Sequence, residues 1–221
     1  AVFGGAETKA ATIESQYHRG LITEDERYQG VVNIWTDTTE KITEAISEFV
    51  DNSLGQQRGN ASMVTVSYDG QRHLTILDNG NGMSESVAQL LQLGKTVGRG
   101  PKDIGVYGQG GTLALLVLAE EFWIHTMRAG RTNSYHGKWA EWYKLEDWPT
   151  VEDRWFGATP SNTPFALFEI GHGTMIQMKL RAKRRVHAGN VLRDLGKTYA
   201  PAIRQGKTLL WRGPDGKTDP I

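Results

Sequence analysis

The chain has 221 residues, enough for one well-filled core or for one domain with an appendage. Lys plus Arg and Asp plus Glu number 25 each, so a zero net charge excludes strong global steering toward nucleic acid and leaves only a local basic patch open. Hydrophobic residues at 38% and charged residues at 23% give a globular, water-soluble expectation, and the absence of cysteine excludes disulfide and thiolate chemistry.

Residues 1–12 are small and polar, carry no signal-peptide pattern and are expected to be poorly ordered. ATIESQYHRG at 11–20 reads as a helix ended by Gly20. A second long helical stretch covers 21–55, with Thr23 as its cap and Glu26 at the capping-box position. Its apolar stripe comprises Tyr28, Val31, Val32, Ile34, Trp35, Ile42, Ile46, Phe49 and Val50, and a break is expected near 37–39. At 62–82 the period changes to two: Val64, Val66 and Tyr68 alternate, then Leu74, Ile76 and Asp78, with Asp69-Gly70 as the hairpin signal between them.

Helical character returns at 84–93, and the glycines of 94–111 predict a mobile loop. The run LALLVLA at 113–119 falls well short of the roughly 20 residues that a membrane span needs, so 112–121 is expected to be a buried helix. Strands follow at 122–127 and 134–139, joined across 128–132. The four-tryptophan stretch 139–156 is expected to pack in the core or at sheet edges, with an aromatic binding surface as the alternative. Further strands are predicted at 165–170 and 174–180, then a basic helix at 181–203 and a polar tail. This order predicts an α+β, two-layer α/β sandwich with a mixed or antiparallel sheet, preceded by a helical hairpin, and it lacks the regular βαβ alternation of a Rossmann fold. We divide it into an N-terminal helical segment at 1–40, either a fusion or an appendage, and a domain at 41–221 that ends in the basic helix.

Three segments carry chemistry. Glu48 and Asn52 are four apart, on one face of a predicted helix, where a carboxylate can activate water and an amide oxygen can ligate Mg²⁺. Alone, that pair is also an ordinary surface pattern, and Glu44 and Asp51 are rival carboxylates. Asp78 ends an alternating strand ahead of Asn79-Gly80-Asn81-Gly82-Met83, where it can accept from an adenine amino group while the glycines let backbone approach a flat base, although a plain DNG turn has the same letters. Gly94-Lys95-Thr96 and IGVYGQGG at 104–111 precede a helix start, an arrangement whose amides can wrap phosphate. The spacing does not fit a P-loop.

In this order the three segments resemble the ATP-binding fold shared by DNA gyrase B, Hsp90, sensor histidine kinases and MutL, the GHKL or Bergerat fold. The resemblance covers 41–180. ITEAISEFVDNSL is similar to its first motif, which implies Glu48 as the water-activating base and Asn52 as the magnesium ligand. DNGNGM is similar to the second, which implies Asp78 at the adenine with Gly80, Gly82 and Met83 around it. Lys95, Thr96, Gly105, Val106, Tyr107, Gly108, Gln109, Gly110 and Gly111 resemble the lid. GHGTMIQM is similar to the late strand that brings Thr174 into the adenine network. DNGNGM…LGKT…IGVYGQG looks most like the microrchidia (MORC) type. The implied cofactors are ATP and Mg²⁺. The implied activity is slow hydrolysis, with nucleotide state controlling a lid, a homodimer or a protein partner. Gly111-Thr112 departs from the residues usual after the lid glycines, and no following transducer domain with a γ-phosphate lysine is visible. Separately, 13–46 resembles a helical hairpin of the largest subunit of bacterial RNA polymerase.

Two other readings remain. In a histidine kinase the phosphoacceptor would be His18, the only histidine upstream of Glu48. A non-enzymatic, nucleotide-regulated module could meet nucleic acid through RAKRR at 181–185, or that run could be a solvated face. His73, His125, His136, His172 and His187 form no metal motif, and neither GxSxG nor HExxH is present. The expected setting is intracellular and away from the membrane.

Overall fold

The computed structural model describes residues 4–55, 59–83, 91, 110–142, 154–181 and 186–221. They divide into two compact units, Ala1–Glu44 and Ala45–Ile221. The first unit contains α1 (Gly4–His18) and the beginning of α2 (Glu24–Leu54). Helix α1 starts at Gly4 rather than at residue 11: Glu7, Lys9, Ala6, Ala10 and Ala11 are all good helix formers, and they extend it through the stretch expected to be poorly ordered. Gly20 turns the chain at φ +69°. The capping box is formed as its spacing predicts, with Thr23 N–H donating to Glu26 Oε2 at 2.8 Å and Glu26 N–H to Thr23 Oγ1 at 3.2 Å. Arg27 pairs with Glu14 at 2.7 Å and with Glu24, and lies over the Tyr17 ring. Helix α2 continues through 37–39 without the expected break. Tyr28, assigned to the apolar stripe, is 66% exposed.

The second unit is built on one mixed eight-stranded sheet. Its strands are β1 (Met63–Tyr68), β2 (His73–Asp78), β3 (Ala119–Arg128), β4 (Arg131–Lys138), β5 (Phe156–Gly157), β6 (Gly173–Leu180), β7 (Thr208–Arg212) and β8 (Thr218–Pro220), in the spatial order β5-β4-β3-β6-β2-β1-β7-β8. Only β1 and β7 run parallel among these pairs. The helices after α2 are α3 (Gly110–Leu118), α4 (Trp139–Trp142), α5 (Phe165–Ile170) and α6 (Ala188–Arg204).

The period-two pattern sends Val64, Val66, Leu74, Ile76, Phe122, Ile124, Met178 and Leu180 to one buried face. Ile46, Phe49 and Val50 of α2 and Val191, Leu195 and Tyr199 of α6 are buried too. Tyr199 Oη donates to Ser47 O at 3.0 Å and to Asp51 Oδ1 at 2.8 Å, tying α6 to α2. The β3–β4 hairpin turns through Ala129 (φ +50°) and Gly130 (φ +73°), the two positive φ values that a two-residue hairpin of this twist requires.

Several elements differ from the sequence expectations. Residues 165–170 form a helix, not a strand: Pro164 sets its entry, Gly171 ends it at φ +83°, and only Leu167 is buried, so no alternating face exists to join a sheet. Helix α3 ends at Leu118, and Ala119–Glu121 already belong to β3. Helix α6 starts at Ala188 rather than 181. The supposed polar tail holds β7 and β8, with Leu209 and Trp211 buried beside β1. Of the tryptophan stretch, Trp139 is buried, packs at a tilt against Phe122 with ring centroids 5.2 Å apart and donates to Leu115 O at 3.2 Å, so it serves the core. The helix expected at 84–93 lies outside the described residues except for Leu91, which is helical and buried.

Candidate functional site

Asp78 is the last residue of β2 and follows Leu74 and Ile76 onto the buried face, so the alternation itself carries a carboxylate into the protein. It is 4% exposed. Its Oδ2 accepts from Ser53 Oγ at 2.7 Å, and its Oδ1 accepts from Gly80 N–H at 2.9 Å and Thr174 N–H at 3.1 Å. Burial pushes its pKa above the ordinary aspartate value; the three hydrogen bonds and the His172 ring act in the opposite direction and do not cancel it.

The strand register sets the neighbours. Asp78 stands opposite Thr174, and Thr174 opposite Thr126, so three polar residues line up across β2, β6 and β3. Thr126 Oγ1 lies 3.5 Å from Thr174 Oγ1 and accepts Met83 N–H at 2.7 Å. Asn79 fixes the other side of the turn: its Oδ1 accepts from Ser62 N–H at 3.0 Å and Met63 N–H at 2.8 Å, and its Nδ2 donates to Ser62 Oγ at 2.9 Å. His172 Nδ1 is 2.8 Å from Gly80 O.

The glycines of this turn are required for a reason the sequence reading did not give. A Cβ on Gly80 would overlap the Gly59 carbonyl, one on Gly82 (φ +69°) the Met127 carbonyl, and one on Gly173 (φ +123°) the Asp78 carbonyl. Their missing side chains therefore make room for neighbouring backbone, the tightest form of chain crossing.

Glu48 and Asn52 lie near the C-terminal end of α2, both half-exposed. At about 100° per residue, Asp51 and Ser53 point in widely separated directions, with Glu48 and Asn52 on the arc between them. Asp51 is bonded to Tyr199 of α6 and Ser53 to Asp78 of β2, which fixes that arc. Of the rival carboxylates, Glu44 is exposed and Asp51 accepts from Tyr199.

The structure thus brings Asp78, Gly80, Met83 and Thr174 into one hydrogen-bonded cluster that also includes Ser53, next in sequence to Asn52, with Gly82 packed against the Met127 carbonyl beside it. Gly110 and Gly111 open α3. Lys95, Thr96, Gly105, Val106, Tyr107, Gly108 and Gln109 lie outside the described residues. His18 is the exposed last residue of α1 in the first unit. Within RAKRR, Arg181 donates to Leu116 O at 3.1 Å in the last turn of α3, and 182–185 lie outside the described residues. Sequence reasoning missed Ser53, Asn79, Thr126 and the role of His172. Ser53 sits one residue past Asn52, on the buried side of the apolar stripe, which was a usable signal; Thr126 had none, since only strand register makes it a neighbour of Thr174.

Among the described residues no group of acidic or histidine side chains forms a metal cluster, and no helix is long and apolar enough to cross a membrane.

Comparison with known proteins gives two results. One segment is similar to DNA-directed RNA polymerase subunit beta′. The identity is 48% over 50 residues with the subunit of Desulforamulus reducens, which is 23% of this chain and 4% of that protein. It is 50% over 46 residues with that of Pelotomaculum thermopropionicum, 21% of this chain and 4% of that protein. With Pediococcus acidilactici it is 34% over 104 residues, 44% of this chain and 10% of that protein. The chain therefore spans only a small fraction of these relatives' length. The second result covers more than half of the chain, from the C-terminal part of α2 through both hairpins. Residues 39–156 match the family described as histidine kinase-, DNA gyrase B-, and HSP90-like ATPase. With this match over more than half of its length and its α+β architecture, the chain belongs to this ATPase family, and that membership supports a general nucleotide-binding, ATPase-like role.

Proposed function

We propose that the second unit binds Mg-ATP around Asp78 and hydrolyses it slowly to ADP and phosphate, with nucleotide state controlling a lid, a homodimer or a protein partner. The observation that carries this reading is the buried Asp78 carboxylate. A carboxylate has about four lone-pair sites, and the three donors from Ser53, Gly80 and Thr174 leave capacity for one more. An adenine amino group is a donor of the right kind, and Thr174 joins the same network. We read the helix–sheet arrangement as the two-layer Bergerat sandwich and the motif set as MORC-like.

The residues present fit the cofactor: Asn52 offers a hard amide oxygen for Mg²⁺ on the arc of α2 between Asp51 and Ser53. When bound, magnesium neutralises charge on the phosphate oxygens. Glu48, one turn earlier on the same arc, holds and deprotonates the attacking water. Lys95, Thr96 and 105–111 form the lid over the phosphates, with the amides of Gly110 and Gly111 at the start of α3 facing them. Residues 1–40 are an appendage to this domain at 41–221, and we assign them no part in transcription.

The test separates binding from chemistry. Glu48→Ala is expected to bind ATP within a few-fold of the parent and to lose about 10²–10⁴ in phosphate release, the usual contribution of a positioned general base. Asn52→Ala is expected to weaken Mg-ATP and to spare magnesium-free adenosine. Undiminished turnover in Glu48→Ala moves the base to Glu44 or Asp51. Unchanged binding and turnover in both variants rejects the assigned helix face.

A further inference from the structure

We infer that His172 is a positioning residue for the nucleotide base, an inference that rests on the Asp78 reading. His172 stands between Gly171 (φ +83°) and Gly173 (φ +123°), so the link from α5 to β6 makes two left-handed steps around it. These steps return the imidazole to the turn after β2, where Nδ1 meets Gly80 O at 2.8 Å. A carbonyl only accepts, so Nδ1 carries the proton and donates.

Gly80 is thereby held from both sides, its N–H by Asp78 Oδ1 at 2.9 Å and its C=O by His172. Rotation of either peptide plane at Gly80 breaks one of these bonds. The carboxylate proposed to receive the base is thus oriented by an amide whose own residue His172 restrains. The fold has little need of this bond. The Asn79 side chain makes three hydrogen bonds on the opposite side of the turn, Asn81 N–H donates to Gly59 O at 2.6 Å, and the packed glycines fix the backbone crossing. His172 itself is exposed. A side chain at the surface whose hydrogen bond reaches the residue beside a buried carboxylate acts on the orientation of that carboxylate more than on stability.

The experiment is calorimetry of adenosine, ADP and a non-hydrolysable ATP analogue on the full chain. His172→Ala is expected to weaken all three by the same factor, about three- to tenfold, the equivalent of one neutral hydrogen bond. Equal loss for all three places the effect at the base. His172→Asn is expected to restore most of the affinity, because Asn Nδ2 stands where His Nδ1 donates. Thermal unfolding of His172→Ala is expected to stay within a few degrees of the parent. Parent-like affinity in His172→Ala overturns the inference, as does a loss that grows with phosphate number, or a failure of Asn to restore binding. Asp78→Asn, measured beside these, separates the two readings. If it loses adenosine while His172→Ala does not, only the His172 inference fails. If the parent chain binds none of the three ligands, both fail.

Discussion

Two aspartates nine positions apart, one just after β1 and one at the end of β2, organise two turns that look alike in sequence and differ in physics. Asp69, before Gly70, accepts the N–H groups of Gln71, Arg72 and His73 on Oδ1 at 2.8–2.9 Å, and its Oδ2 meets His73 Nδ1 at 2.7 Å. Asp78, two before Gly80, accepts two amides and a hydroxyl at 2.7–3.1 Å. At Asp69 burial raises the pKa, but the donors, first among them His73 N–H, outweigh it and bring the carboxyl down to about 2. At Asp78 burial prevails over a similar set of donors and the pKa rises. Solvent decides between them. A hydrated aspartate with several donors closes a hairpin; a dehydrated one keeps a costly charge whose favourable use is a further donor, the situation of a ligand site.

The comparison is broken most severely at the glycines. Gly80→Ala drives a Cβ into the Gly59 carbonyl, backbone against backbone, and is expected to destabilise the second unit by about 3 kcal/mol or more in urea unfolding. If that variant unfolds no more easily than the parent, the crossing is looser than described. Next comes Asp78→Asn. The Asn Oδ1 can keep the Gly80 and Thr174 amides and its Nδ2 can donate to Ser53 Oγ, so the fold is retained. ADP binding is expected to fall by about 1.5–3 kcal/mol, because an amide donor now opposes the base amine. Calorimetry reads the loss, and parent-like affinity removes Asp78 from the site.

The pH dependence of the same variant has a definite sign. A folded-state pKa raised above the unfolded value means that Asp78 contributes fully below the ordinary aspartate pKa of about 4, and the contribution is lost as pH rises. Asp78→Asn should therefore hold its stability better than the parent on going from acid to neutral pH, a trade of binding against stability.

Smaller effects belong to the hydrated turn. Gly70→Ala meets φ +79° and the Pro214 side chain, at 2.8 Å from Cγ, and is expected to cost about 1–2 kcal/mol because a side chain can give way where backbone cannot. Asp69→Asn is smallest, about 1 kcal/mol or less at neutral pH, since the carboxylate is 36% exposed. Its signature is acid dependence of the opposite sign to that of Asp78. A depressed folded pKa contributes above the ordinary value and is lost as pH falls from about 4 toward 2, so the parent should lose stability in that window and Asp69→Asn should lose less.

The hairpins, the capping box of α2 and Asp78 at a strand end were legible because each follows from local spacing. The strand at 165–170 was misread because FALFEI has β-compatible residues, while Pro164 and the left-handed Gly171 that make it a helix act at its ends. TLLWR passed for tail because a short apolar strand is recognisable only beside its partner, here β1, some 140 residues away. The same limit hid Thr126: register across β3 and β6 is a property of the sheet, not of either segment. Ser53 could have been found, since it falls on the buried side of the stripe formed by Ile46, Phe49 and Val50. For the glycines the structure adds a reason that spacing does not contain, because sequence shows where a side chain is missing and not which backbone occupies its place.

The position of β6 has a consequence for how the chain acquires its structure. It lies between β2 and β3, yet it is made more than 40 residues after β3 ends, beyond the stretch 39–156 that identifies the family. During synthesis the β1–β2 and β3–β4 hairpins can form locally and early, each with the edge that β6 later joins unpaired. They become one sheet only when 173–180 arrives between them, and that step also seats Thr174 beside Asp78. Assembly of the Asp78–Thr174 cluster is therefore coupled to the late closure of a non-local pairing in the centre of the sheet. A nascent chain stopped at residue 156 would leave both hairpin edges open to other copies, and aggregation would compete with folding at that stage.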